Sequence, residues 1–318
     1  MNILEGVHAV ATASGEGAVD WEAVGRAARS LTEPGRLDLS RADQEAYAAD
    51  VRDARANIRD VSGVSFAVPD TLEIQNRHHW IDANLDTFQR AFAPLDEHPQ
   101  VLPGVSRPLN TASVAGSLAF IARHVLGQYD PLLLADGDDP HGLFFVHPNI
   151  VAAADALAVD QDRFRRWIAF HEVTHAAEFG AAPWLSEYLS ARLREAIDTL
   201  ADRQVPREAL GELDVAMTAV EGYAELLMDH AFDAAYDDLR RKLDARRKGG
   251  DPITRLLRRL LGFQLKRRQY ERGRAFFDAV VAERGIAGAS VIWEDPAFLP
   301  GEAELENPER WLDRVPER

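Results

Sequence analysis

The chain has no cysteine, only three lysines in 318 residues (Lys242, Lys248 and Lys266), and no apolar run long enough to span a bilayer. Without cysteine there can be no disulfide, no thiolate zinc site and no cysteine nucleophile, so any metal must be held by His, Asp or Glu. The first twenty residues lack the basic stretch and apolar segment of a secretory leader, so the expected setting is cytoplasmic, with no membrane partner. In place of lysine there are 33 arginines, and 29 Asp with 23 Glu bring the formal net charge to −16. An acidic, lysine-poor balance of this kind suits a halophilic protein whose self-repulsion is screened by concentrated salt. A GC-rich genome, which favours Arg and Ala, is the competing account.

Charge is uneven as well as negative. Residues 246–274 carry eleven basic side chains against Asp251 and Glu271, a segment of +9 in a remainder of −25. A nucleic-acid surface is one reading of such a stretch. Leu256, Leu257, Leu260, Leu261 and Leu265 on its other side favour a helix docked on the acidic body, so nucleic acid is not the expected partner.

Helical periodicity dominates the chain, over Val19–Leu31, Ser40–Val61, His78–Phe92, Ala112–Leu126, Asp160–Phe179, Trp184–Asp202, Glu208–Ala235 and Ile253–Glu283. The loops are marked by Glu33-Pro34-Gly35, by the acidic run Asp136–Pro140 and by Gly249-Gly250-Asp251-Pro252. Strand signal is confined to Val64–Val68, Leu143–Val146 and Ser290–Trp293. The expected fold is mainly α with a small β-sheet, as one domain over 1–318. Within it a helical part (about 1–140) leads into a core (about 141–235) and a C-terminal helical part (about 236–318).

Inside the Asp160–Phe179 helix stands His171-Glu172-Val173-Thr174-His175. Residues four apart share a helix face, so both imidazoles can hold one metal ion, with Glu172 placed to take a proton from a metal-activated water. This is the H-E-x-x-H arrangement of zinc metallohydrolases. Asp160 is suited to cap the helix, and Gly180 to end it. The bland alternative, two buried histidines that bind nothing, leaves costly unpartnered imidazoles beside a carboxylate.

Catalytic zinc takes three protein ligands plus water. The three-histidine extension would need Gly and His where Glu178 and Ala181 stand, so a carboxylate from another helix is expected. Glu221, Glu225 and Asp229 recur every four residues along one stripe, a like-charge conflict that a cation would relieve. Glu221 is the preferred ligand, with Glu187 the rival. Glu225 is assigned to the surroundings of the metal or substrate, Asp229 to orienting a histidine, and Gly222 to letting two helices approach. Tyr223, Tyr188 and His230 are candidates for holding an oxyanion.

Across nearly its whole length the chain resembles an uncharacterised zincin-like family. Its members are grouped as zinc-dependent metalloproteases or as hydrolases associated with deazaflavin-cofactor biosynthesis. The likeness rests on Val19-Asp20-Trp21, Trp80–Leu85, Val146–Ile150, Trp167–His175, Phe179-Gly180, Pro183-Trp184-Leu185, Glu221-Gly222 and Met228-Asp229. It continues in Leu260-Leu261-Gly262, Lys266, Arg268-Gln269-Tyr270, Gly273, Trp293-Glu294, Leu299-Pro300 and Trp311-Leu312, with His147 standing where an acidic residue belongs. The resemblance implies a zincin-like metallopeptidase architecture and Zn2+ at His171 and His175, with Glu172 as general base. Zincins place an edge strand beside the active-site helix, a role for which Leu143–Val146 is the candidate. The expected function is a zinc-dependent hydrolase acting on a peptide or amide. An inactive zincin-fold binding or scaffold protein and a small-metabolite amidohydrolase are the alternatives.

Overall fold

The computed structural model describes residues 17–69, 71–97, 107–130, 142–201, 204–232, 238–239, 241–242 and 267–317. The acidic run at 136–140, the Gly249–Pro252 loop and the leucine-lined basic stretch up to residue 266 lie outside these. The described elements are α1 (Trp21–Ser30), α2 (Arg41–Ser62), β1 (Leu72–Gln75), α3 (Arg77–Glu97), α4 (Arg107–Ala122), β2 (Gly127–Asp130) and β3 (Gly142–Val146). After them come α5 (His147–Leu157), α6 (Gln161–Ala181), α7 (Leu185–Ala201), α8 (Arg207–Ala231), α9 (Arg267–Ser290), α10 (Glu302–Glu306) and α11 (Pro308–Arg314). The fold is therefore mainly α with a small sheet, as the periodicity predicts. None of the described helices is long and apolar enough to cross a membrane.

The sheet departs from expectation. Its order is β1-β3-β2, with β1 parallel and β2 antiparallel to β3. Leu143–Val146 is thus the centre of the sheet, and the edge strand on α6 is Gly127–Asp130. Val64–Val68 is not a strand, and Ser290–Trp293 is the end of α9 followed by a 3-10 turn. The β3 residues Leu143, Phe145 and Val146 are fully buried, which accounts for the apolar run that makes this strand visible. It passes directly into α5, whose Pro148 occupies the first turn, where a missing N–H costs no helical bond.

Helix α6 is fixed on several sides. Asp160 accepts the Arg163 amide at 2.9 Å and caps its N-terminus. Phe164, Trp167, Ile168, Phe170, Val173, Ala176 and Ala177 are buried in the larger apolar cluster. Arg165 pairs with Asp50 of α2, and Arg166 with Asp53, at 2.7 Å each. Gly180 does not end this helix, which runs on to Ala181. A Cβ there would meet that of Phe66 at 2.9 Å, so Gly180 serves close packing.

A smaller apolar cluster joins Val24, Ala27 and Ala28 of α1, Trp80 and Ile81 of α3, and Leu118 and Ala122 of α4 to Val146. From it a polar chain reaches the edge strand. Trp80 Nε1 donates to Gln128 Oε1 at 2.7 Å, and Gln128 Nε2 donates to Asn84 Oδ1 at 2.9 Å.

Candidate metal centre

Four residues apart on α6, His171 and His175 present Nε2 atoms 3.3 Å from each other, with ring centroids at 4.7 Å. The His171 ring stacks on Trp167, one turn earlier, with centroids 5.7 Å apart and planes within 13°. Helix α8 crosses nearby and brings Glu221, so that one donor atom from each of His171, His175 and Glu221 lies within 4.8 Å of the others. All three side chains are half-buried, which leaves the group reachable from solvent. Glu187, the rival ligand, is exposed at the start of α7 and is not part of this group.

Behind His175 sits Glu178, fully buried, with Oε2 2.7 Å from Nδ1 of the imidazole. An imidazole whose Nδ1–H is held by a carboxylate has its Nε2 lone pair directed to the other side, here toward His171 and Glu221. Sequence pattern alone does not single out Glu178. It lies three residues after His175, hence on the same helix face, in a turn otherwise filled by Ala and Phe.

Glu172 points to the sheet. It is 7% exposed, and its Oε2 accepts the Tyr129 amide of β2 at 2.9 Å. Burial, partly offset by the charge on His175 and by the Tyr129 hydrogen bond, pushes its carboxyl up to about 7. Glu178 is raised to about 7 in the same way, by burial against the pull of His175. For His175 burial acts in the opposite direction, toward the neutral ring. Glu178, Glu221 and Glu172 outweigh it and push the imidazole up to about 10.

Other candidates are placed differently. Asp229 forms an ion pair with Arg274 of α9 at 3.0 Å, while the carboxylate on Nδ1 of His175 is that of Glu178. Glu225, half-buried, lies one turn from Glu221 on the same stripe. Tyr223 is buried, and its hydroxyl is engaged with Ser290 Oγ of α9 at 2.7 Å. Tyr188 stands edge-on to Trp184 with the Arg192 guanidinium 4.9 Å above its ring. His230 is exposed, its Nδ1 2.9 Å from the Leu226 carbonyl. Gly222 does permit a close approach, but to α9 rather than to α6. A Cβ on it would lie 2.8 Å from the backbone carbon of Gly273.

A helix carrying two imidazoles and a carboxylate between them, completed by a second carboxylate from a crossing helix, defines a candidate metal-dependent hydrolase. The chain belongs to the zincin-like metallopeptidase family, whose model matches residues 19–206 and 199–312. It is similar to a crystal structure of a candidate hydrolase with a novel fold from Chloroflexus aurantiacus. That likeness has 32% identity and a TM-score of 0.80 over 93% of this chain and 98% of that one. No curated protein matches the chain.

Proposed function

We propose that this protein is a zinc-dependent metallohydrolase that cleaves peptide bonds. The observation that carries the reading is the convergence of His171, His175 and Glu221 within 4.8 Å, on a helix whose Glu172 lies alongside. Two imidazoles and one carboxylate are a donor set of hydrolytic zinc, and the Glu178 carboxylate behind His175 is the backing such histidines receive. The residues therefore fit the metal. When bound, zinc supplies Lewis acidity, lowering the pKa of a water and polarising a carbonyl.

The remaining work falls to the chain. His171 and His175 would hold the metal through Nε2 and Glu221 through a carboxylate oxygen, while Glu178 would retain the Nδ1 proton of His175. Glu172 takes a proton from the attacking water as its oxygen bonds to the carbonyl carbon, and passes that proton to the amine as the C–N bond breaks; a base near neutrality is matched to both transfers. The match to the zincin-like metallopeptidase family favours a peptide over a compact metabolite as substrate.

Metal analysis by mass spectrometry on untagged protein should give one zinc per chain, lost in His171→Ala and His175→Ala. Glu172→Gln should keep the zinc and abolish hydrolysis of a peptide library, since an amide cannot accept the proton. Metal content indifferent to the histidines would remove the site. Turnover absent from a zinc-loaded wild type would favour a zincin-fold scaffold instead.

A further inference from the structure

Two main-chain features of β2 converge on Glu172. The Val146 amide donates to the Leu126 carbonyl, which makes residues 126 and 146 a hydrogen-bonded pair of the antiparallel ladder. Such pairs alternate, so Gly127 and Tyr129 turn their amides and carbonyls away from β3. The Tyr129 amide is met there by Glu172 Oε2 at 2.9 Å. On the face that α6 covers, where the Tyr129 ring packs against Phe179 at 5.5 Å, position 127 has no side chain. A Cβ built there would lie 2.6 Å from Glu172 Cγ, 2.7 Å from Oε1 and 2.9 Å from Cδ. Gly127 has no positive φ that would otherwise call for glycine. Its lack of a side chain is thus used for space, and Glu172 fills that space.

We infer that Gly127 is a positioning residue for Glu172, the missing side chain leaving the seat in which the carboxylate reaches the Tyr129 amide. The inference rests on the hydrolase reading only for its catalytic consequence. The obstructing atoms are Cγ, Cδ and Oε1 of the Glu172 side chain, which can turn about its own bonds, and not backbone. A methyl group at 127 therefore displaces the carboxylate and leaves the fold in place.

The structural half can be read without activity, in the metal-free full-length chain labelled with 15N-tyrosine. Six tyrosines give six amide signals, and the one lost in Tyr129→Phe is that of residue 129. In the wild type this amide should resonate downfield and exchange slowly, as expected of a hydrogen bond to a carboxylate. Both properties should be lost in Glu172→Ala and in Gly127→Ala, with the thermal midpoint of Gly127→Ala close to that of the wild type. In the zinc-loaded enzyme Gly127→Ala should retain the metal and lose about 100-fold in kcat with a smaller change in KM, the scale of a misplaced catalytic group. A Tyr129 amide indifferent to both substitutions overturns the inference. So does a Gly127→Ala enzyme with wild-type kcat. A wild type without turnover counts against the hydrolase reading instead, and the amide signature still decides where Glu172 sits.

Discussion

A ligating histidine has two nitrogens, and the one facing away from the metal decides how well the other is aimed. At His175 that decision belongs to Glu178, whose Oε2 lies 2.7 Å from Nδ1 with the carboxylate fully buried. Removing it in Glu178→Ala should weaken zinc affinity about 10- to 100-fold, as losses behind a metal ligand do. Glu221→Ala removes a proposed ligand and should cost more, whereas Glu187→Ala, on an exposed side chain outside the donor group, should leave affinity unchanged. Competition titrations against a chelator measure all three. Loss of zinc in Glu187→Ala with retention in Glu221→Ala would move the ligand to α7. The same experiment has a pH dependence with a defined sign. Metal-free His175 is raised to about 10, chiefly through Glu178, and zinc needs the neutral ring. Binding therefore releases a proton throughout the neutral range, and affinity should rise about tenfold per pH unit from about pH 7 to about pH 9. A flat profile there would mean that His175 is already neutral without metal.

At the scale of elements, what sets Glu221 in place is the seating of α8 against α9. They meet closely at Gly222 and Gly273, where a Cβ on Gly222 would strike backbone atoms of Gly273 at 2.8 to 3.0 Å. Backbone cannot step aside as a side-chain end can, so Gly222→Ala should destabilise the protein by about 1–3 kcal/mol, as overpacking does. Gly116 in α4 has nothing within 4 Å of a built Cβ, so Gly116→Ala should be neutral or stabilising by up to about 1 kcal/mol. Denaturant midpoints for the two variants, read side by side, check the argument. Equal effects would mean that the glycine contact does not govern the packing.

The legibility of the chain divides along the same lines. The helix Arg41–Ser62 announces itself through a long periodic face and its cap Ser40, and Gln161–Ala181, buried on most sides, through its cap Asp160 and a length free of breakers before Gly180. The pair His171/His175 is equally visible, because helical spacing is a local property. The helix His147–Leu157 is hidden by Pro148, which looks like a terminator but sits in the first turn. The strands Leu-Glu-Ile-Gln and Gly-Gln-Tyr-Asp are four residues each, too short and too polar for alternation to show. Their pairing with Gly142–Val146 is a tertiary fact, and so is the choice of β2 as the edge. Gly222 could be read as a close-approach glycine but not assigned a partner, since that partner, Gly273, lies far along the chain. Glu178 and the Tyr129 amide were beyond reach for related reasons. One looked like a departure from a three-histidine motif, and the other is main chain.

For the whole molecule the governing quantity is charge. A net charge of −16 repels itself in the compact state more than in the expanded one, and the imbalance is greater outside residues 246–274, which carry +9. The described end of that basic segment is already partnered: Arg272 lies 3.7 Å from both Glu302 and Glu306, and Arg274 reaches Asp229 at 3.0 Å and Asp278 at 3.2 Å. Added salt therefore acts in two directions. It weakens these partly exposed pairs, each worth about 0–1 kcal/mol. It also shortens the Debye length from about 10 Å at 0.1 M to about 3 Å at 1 M, which removes repulsion among the excess carboxylates. The pairs are few and local while the excess is spread over the chain, so the second effect should win. The melting temperature should climb through molar potassium chloride, and scans at fixed pH across that range decide it. A flat or falling trend would leave base composition of the genome, rather than adaptation to salt, as the source of the arginine-rich, lysine-poor surface.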